Sequence, residues 1–351
     1  MILLNNRMSK THRISTCEEH MKVLILGGKR FLGRALVEAL LEAGDTPVLF
    51  NRGLTNPELY PKVTNLIGDR DGNLEALKRR KWDAVIDTSG YVPRIVKQSA
   101  KMLSGKCETY VFLSTISVYQ DFRTLDIAET YPLAQLDDPT SEDYAGDDFG
   151  PLKALCEYEV QQNFDGRVLV FRPGLIVGPY DPSDRFTYWP WRVSLGGQVL
   201  VPSPPSTNLQ FIDVRDLAEF IINRIKAKSE GVYNVTGPRK PATFGSLLVA
   251  CREAALSNAS FVWVDESFLL ENEVYPWSDI PLWVPSIDPE YAGFYNININ
   301  KALKAGLNFK PLSQTVSDTL EWHRSRPGPP KLKVGMNIAR ETELLLKYQK
   351  Y

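Results

Sequence analysis

The chain has 351 residues, 43% of them hydrophobic, 24% charged and 11% aromatic, a globular composition that excludes collagen-like, disordered and disulfide-scaffold proteins. Its formal charge is −1, from 41 Lys and Arg against 42 Asp and Glu, so no global positive field recruits nucleic acid or anionic lipid. Three histidines (His12, His20, His323) and four widely separated cysteines (Cys17, Cys107, Cys156, Cys251) argue against a His-based triad, a metal site or a redox pair, and for reduced thiols in a cytoplasmic protein.

Residues 1–20 are polar and aperiodic after the first four and lack the apolar core of a secretory signal, so a disordered extension is expected there. The longest apolar runs are strand-sized, far short of the roughly 20 residues of a bilayer helix. From Met21 the pattern alternates. Lys22–Leu26 is a continuous apolar run, the signature of a strand covered on both faces. Phe31, Leu32, Ala35, Leu36, Ala39, Leu40 and Ala43 then recur at helical spacing until Gly44. Further strands are predicted at 47–50, 63–67, 83–88, 109–114 and 167–172, with helices at 73–80, 94–103 and 150–163. This alternation predicts a Rossmann-type α/β fold, a doubly wound parallel sheet. After Pro173 the rhythm breaks into a Pro-, Trp- and Gly-rich stretch; Phe211–Ile225 reads as another helix and Gly231–Gly237 as a strand. The expected division is a dinucleotide-binding domain at 21–178 plus 211–237, a substrate lobe at 179–210 plus 238–325, and a basic surface tail at 326–351 that includes a segment able to dock as a helix.

The first strand runs into Gly27, Gly28, Lys29, Arg30, Phe31, Leu32 and Gly33, which open a helix. Strand, glycine turn and helix N-terminus together form an anion site: glycines admit a pyrophosphate to the backbone, and unpaired N–H groups point at it. At the end of the second strand, where an acid would hold the ribose of NAD, stand Asn51 and Arg52. A guanidinium suits a 2′-phosphate, so NADP is preferred and NAD is the alternative; a merely solvated Arg52 is the other reading. Arg30 and Lys29 are candidates to close over the same phosphate. Asp69 lies where it could meet an adenine amine or cap the next helix.

These residues, with Leu113–Tyr119, Phe149–Lys153, Phe171–Pro179 and Phe211–Ala218, resemble the extended short-chain dehydrogenase/reductase superfamily, the NAD(P)-dependent epimerase/dehydratase group, over residues 21–325. The Arg in the glycine turn and the Asn51–Gly53 triplet are also similar to its chloroplast stem-loop-binding branch. The resemblance implies an acid/base pair of Tyr and Lys at i and i+4 on one helix, with a Ser/Thr hydroxyl beside it; the lysine lowers the phenol pKa. Carried over by position, Thr115 is the hydroxyl residue and Lys153 the lysine, which also binds the nicotinamide ribose. The tyrosine position is Phe149, which has no proton to exchange. Tyr144 is the candidate to stand in, while Tyr119 and the Asp213/Asp216 region are expected to be structural.

Pro173 is expected to line the nicotinamide pocket. Ser117, Arg185, Tyr188 and Trp189 fall where relatives bind substrate, with lobe core as the competing reading of the aromatics. Six carboxylates between Asp137 and Asp148 read as a solvated acidic loop. The function implied is an NAD(P)-dependent oxidoreductase or epimerase for a nucleotide sugar or similar polar substrate. The alternative is a non-catalytic NADP-binding, RNA-binding or partner-binding protein of the same fold, with charge −1 speaking against nucleic acid. No membrane association or metal is expected, and the resemblance implies a homodimer.

Overall fold

The computed structural model describes residues 20–328 and 331–351; nearly all of the N-terminal extension, including Cys17, lies outside them. The chain runs β1 (Lys22–Leu26), α1 (Phe31–Glu42), β2 (Thr46–Asn51), β3 (Thr64–Ile67), β4 (Ala84–Asp87), α2 (Pro93–Leu103), β5 (Thr109–Leu113), α3 (Phe149–Asn163), β6 (Arg167–Pro173), β7 (Leu175–Val177), α4 (Tyr188–Ser194), β8 (Gln198–Pro202), β9 (Asn208–Leu209), β10 (Phe211–Asp213), α5 (Val214–Lys226), β11 (Gly231–Val235), β12 (Ala242–Thr243), α6 (Phe244–Ala255), β13 (Ser260–Val264), α7 (Glu266–Glu271), α8 (Asn300–Lys304), α9 (Leu312–Ser325) and α10 (Ile338–Tyr348).

Seven parallel strands form the main sheet in the order β11-β6-β5-β4-β1-β2-β3. In β1 only Lys22, at the edge, is exposed; the other four residues are buried, as a strand covered on both faces requires. Helices α1 and α5 cover one face and α2 and α3 the other. The chain winds outward from β1 to β3, then returns to β4 on the other side of β1, so the crevice for a ligand opens at the carboxyl ends of β1 and β4. Cys107, Cys156 and Cys251 are buried free thiols.

Two expectations change. The helix predicted at 73–80 is one 3-10 turn, Glu75–Leu77, because Asp69 and Asn73 pair as an isolated bridge and hold the chain in a loop. The helix predicted from Phe211 begins with β10, which pairs with β7 in parallel; α5 starts at Val214, capped by Asp213, whose carboxylate accepts from the Arg215 N–H at 2.9 Å. The tail segment expected to be able to dock as a helix does so. Its α10 docks on the lobe, with Leu344 and Leu345 in the lobe core, and Glu341 accepts from Arg192 Nε at 2.6 Å and from the Leu200 N–H at 3.0 Å.

The lobe core explains a third change. Trp189 is fully buried, its indole N–H donating to the Pro281 carbonyl at 2.8 Å. Tyr188 packs edge-on against it and is 3% exposed; a Cβ on Gly335 would fall 2.1 Å from the Tyr188 ring. Neither ring is open to a substrate. Both bury their large apolar area inside the lobe, and their side chains are corrected from substrate-binding to core.

Candidate active site

The turn after β1 is built around approach distances that only glycine allows. Gly27 and Gly28 have φ of 115° and 99°, a region other residues rarely adopt. A Cβ on Gly33 would lie 2.6 Å from Gly28 Cα and 2.8 Å from Gly28 N. The first turn of α1 therefore presses on the glycine loop, and its free N–H groups face the crevice as an anion site. Phe31 and Leu32 form this first turn, Leu32 buried beneath it and Phe31 packed against the α1–α5 core.

Around the turn the cations divide. Arg30 and Arg52 are exposed, and neither side chain forms a hydrogen bond or ion pair among the described residues. Lys29 is buried and turns away: its ammonium donates to the Pro57 carbonyl at 2.8 Å while its own carbonyl accepts from Asn56 at 2.8 Å. It pins the 53–57 loop, so the expected phosphate contact from the Lys29 side chain is not the one formed. Asn51 likewise holds the loop together, donating to Asn65 Oδ1 at 2.8 Å and accepting from the Gly53 N–H at 2.9 Å. Asp69 accepts from the Asp71 N–H at 3.0 Å, a turn contact that uses one of its two carboxylate oxygens. A cradle whose close approaches fall at Gly27, Gly28 and Gly33, with two uncommitted guanidiniums beside it in the chain, fits a dinucleotide pyrophosphate.

At the other end of the crevice, Lys153 projects from α3 to the carboxyl end of β5. The residue is 3% exposed, and its ammonium donates to the Gly90 and Leu113 carbonyls at 2.6 and 2.5 Å. Burial pulls its pKa down to about 8 from an ordinary 10.5. Thr115 caps the short turn Ile116–Val118, accepting from the Ser117 N–H at 3.1 Å and donating to the Ser117 hydroxyl at 3.1 Å. Gly150 lets α3 close on this loop, since a Cβ there would stand 2.1 Å from the Ser117 carbonyl oxygen. Phe149, Thr115, Ser117 and Lys153 thus meet at one corner, and Pro173 closes β6 at the same edge of the sheet.

Tyr91 is the residue here that sequence reasoning missed. It follows β4, its ring 5.3 Å from Lys153 Nζ and 6.5 Å from the Phe149 ring. Tyr144 stacks on it at 5.1 Å, so the acidic loop does fold in and brings Tyr144 to the corner. Burial first, then the Asp87 carboxylate, raises the Tyr91 pKa above its ordinary value. Asp87 itself is buried at the end of β4, held by Arg70 through two contacts of 2.6 Å and by the Tyr110 hydroxyl at 2.9 Å. The sequence signal for Asp87 is a carboxylate ending an otherwise apolar strand.

Behind the corner lies a second buried network. Ser114 donates to Glu157, which also accepts from Arg172 at 3.0 and 2.6 Å. Arg172 reaches the Tyr119 hydroxyl at 3.3 Å, and that hydroxyl donates to Asn234 Oδ1 at 2.6 Å. Tyr119 is therefore structural, as expected, and so is Asp213, held by Arg215 and Thr315. In the lobe, Arg185 makes no side-chain hydrogen bond or ion pair among the described residues, its Nε is buried without a partner, and its guanidinium lies 5.7 Å from the Trp277 ring. Among the described residues no group of three or more His, Cys, Asp or Glu side chains could hold a metal ion, and no helix is long and apolar enough to cross a membrane.

The fold and this crevice define a class. Residues 23–236 match the NAD dependent epimerase/dehydratase family, and the chain belongs to it. It is 28% identical over 254 residues to the chloroplast stem-loop binding protein of 41 kDa b from Arabidopsis thaliana, an alignment covering 66% of this chain and 63% of that protein's length. Among solved structures, WbmH of Bordetella bronchiseptica, crystallised with NAD+, matches with a TM-score of 0.66 at 17% identity, covering 88% of this chain and 100% of that one. UDP-N-acetylglucosamine 4-epimerase of Bacillus cereus matches with a TM-score of 0.65 at 17% identity over 88% and 99%. Human epimerase family protein SDR39U1, crystallised with NADPH, matches with a TM-score of 0.58 at 18% identity over 86% and 99%. At these identities the likeness to the structures is one of fold.

Proposed function

We propose that the protein is an NADP-dependent oxidoreductase or epimerase acting on a nucleotide sugar or a substrate of similar polarity. The observation that carries this reading is the Gly27–Gly33 cradle flanked by the uncommitted Arg30 and Arg52. A 2′-phosphate beside an exposed guanidinium gains a forked, charge-assisted contact that NAD lacks. NAD and NADPH in the titles of related structures support a nicotinamide dinucleotide in general. Such a group supplies reversible two-electron chemistry when bound.

The chain's own residues then have separable tasks. The Thr115 hydroxyl, one residue from Ser114 and hydrogen-bonded to Ser117, holds a substrate oxygen. Lys153 binds the nicotinamide ribose and supplies positive charge at the corner. Phe149 supplies no proton, so Tyr144, stacked on Tyr91 above the lysine, is the residue assigned to exchange one. Arg185, with its unmatched Nε, suits the diphosphate of a nucleotide sugar. The absent phenol at 149 also favours a second reading, in which the protein binds NADP without turning over a substrate.

Calorimetric titration with NADP+ and NAD+ tests the proposal. The expected result is tighter NADP+ binding, lost preference in Arg52→Ala, and cofactor absorbance changes with a panel of nucleotide sugars. Equal affinity for the two cofactors contradicts the NADP assignment. Binding without turnover, unchanged in Tyr144→Phe, supports the second reading.

A further inference from the structure

The acidic segment between β5 and α3 is tied to the body of the protein by one charged side chain. Arg94, the second residue of α2, commits Nε, Nη1 and Nη2 to two carboxylates at once. Glu142 accepts from Nε at 3.0 Å and from Nη2 at 3.2 Å, while Asp71 accepts from Nη1 at 2.7 Å and from Nη2 at 3.2 Å. Asp71 follows β3, Arg94 follows β4 and Glu142 follows β5. The guanidinium therefore joins three connections that leave the carboxyl edge of the sheet, where the crevice opens. Without it, two like charges would face one another across that edge.

Few other bonds hold the segment. Its ends are fixed, the Ala134 N–H donating to the Val118 carbonyl at 2.8 Å and the Leu152 N–H to the Asp148 carbonyl at 2.8 Å. Between them, none of residues 135–147 is buried. Their backbone bonds close local turns: the Ser141 N–H donates to the Asp138 carbonyl at 3.0 Å, Tyr144 to Glu142 at 3.1 Å and Phe149 to Gly146 at 3.2 Å. A second attachment is the Tyr144 ring, stacked at 5.1 Å on Tyr91, whose own ring lies 5.3 Å from Lys153 Nζ. The segment thus reaches from the Lys153 corner to Asp71, two residues beyond Asp69. Exposed residues joined by local turns are what a segment that opens independently of the core requires.

We propose that residues 135–147 form a lid over the crevice and that Arg94 is the positioning residue that clasps it shut between Asp71 and Glu142. The proposal takes the crevice as the dinucleotide site and to that extent rests on the function proposed above. Closed, the lid keeps Tyr144 at the Lys153 corner; a dinucleotide enters or leaves only when the clasp parts. All three charged groups of the clasp are exposed. Exposed ion pairs are weak and screened by salt, so the clasp holds the lid without locking it. The segment's own acids show why it needs one. Asp137, Asp138, Asp143 and Asp147 are exposed and have no ion-pair partner among the described residues, and such a run of like charge by itself favours an open, solvated chain.

The test uses the full chain, with hydrogen exchange in the absence of ligand and stopped-flow mixing with NADPH read by its fluorescence. In ligand-free Arg94→Ala, exchange across residues 135–147 should quicken about three- to tenfold, while the rest of the chain and the melting temperature match the parent's. Added salt should quicken the same exchange in the parent, by screening the clasp, and leave the variant unmoved. NADPH association should level off with concentration in the parent, where opening limits it. In Arg94→Ala it should keep rising, with release also faster by at least about threefold. Loss of a simple binding contact would quicken release alone. Glu142→Gln should reproduce both changes and add nothing to Arg94→Ala, whereas Asp147→Asn, at an unpaired acid of the same segment, should leave both alone. Unchanged exchange in Arg94→Ala, faster release without faster association, or the same shift from Asp147→Asn overturns the lid while the proposed function stands. A parent chain that binds no dinucleotide overturns the proposed function and the lid's role with it.

Discussion

The two ends of the crevice hold their positive charge in opposite ways. At the glycine turn, Arg30 and Arg52 are exposed and uncommitted, whereas at the α3 corner Lys153 is 3% exposed and spends two protons on backbone carbonyls. An uncommitted surface cation costs little to keep and gains its interaction only when an anion arrives. A buried ammonium must be satisfied within the fold or it destabilises it. The first end is thus prepared to bind before any ligand comes. At the second, a ligand must compete with the Gly90 and Leu113 carbonyls for Lys153.

The comparison breaks most completely at Gly33. Gly33→Val sets side-chain atoms against the Gly28 backbone, where even a Cβ stands 2.6 Å from Cα, and backbone cannot swing aside. NADP+ affinity should fall by about a hundredfold or more, with a stability loss of about 1–3 kcal/mol from overpacking; calorimetry and thermal melting read the two. Retained affinity would mean that this turn is not the cradle.

The Lys153 end is probed by pH. Its ammonium has a pKa of about 8 in the folded chain against an ordinary 10.5, so between these values the unfolded chain binds more protons and stability rises with pH. Below about 8 both states are protonated and the slope vanishes. Urea denaturation across this window should show the parent gaining stability relative to Lys153→Met as pH climbs. A constant difference between the two would mean that the ammonium is better solvated than its burial indicates.

How much of this was legible beforehand follows from which signals are local. Gly27, Gly33 and the helix after them read directly, because the strand–turn–helix context and the backbone's need for glycine sit within a dozen residues. Lys153 read only through the family resemblance, which places a lysine four residues after the position that Phe149 occupies. Lys29 did not, since whether its ammonium faces a phosphate or the Pro57 carbonyl depends on a loop 28 residues away. Tyr91 gave no signal, because its ring gains its place from Tyr144 and Lys153, both remote in the chain. Tyr188 and Trp189 failed for a related reason: an aromatic cluster has the same composition whether it lines a cleft or fills a core, and only the packing of α10 and the 335–336 turn over the lobe decides.

A smaller effect sharpens the first end. Arg52→Asp puts a carboxylate where the proposed 2′-phosphate contact lies, at an exposed position with no partner among the described residues to lose. NADP+ should weaken about tenfold, roughly 1.4 kcal/mol, while NAD+ is unchanged or tighter, measured by competition calorimetry. Equal weakening of both cofactors would assign Arg52 to the pyrophosphate instead.

The smallest expected change in binding and stability comes from Phe149→Tyr, and it is the most direct probe of the second end. Phe149 begins α3 and its ring lies 6.5 Å from Tyr91, at the rim of the crevice and outside the packed core. One added hydroxyl there should leave melting temperature and NADP+ affinity within about 0.5 kcal/mol of the parent. It stands one helical turn from Lys153, whose charge favours the phenolate. If the corner works as an acid/base site, turnover with any accepted substrate should rise in Phe149→Tyr and should no longer depend on Tyr144, so the double variant with Tyr144→Phe keeps the gain. If Tyr144 is already an efficient donor, the single variant leaves turnover where it was and Tyr144→Phe alone abolishes it. If neither change moves turnover, the proton passes elsewhere, and the buried corner around Lys153 serves to hold a cofactor.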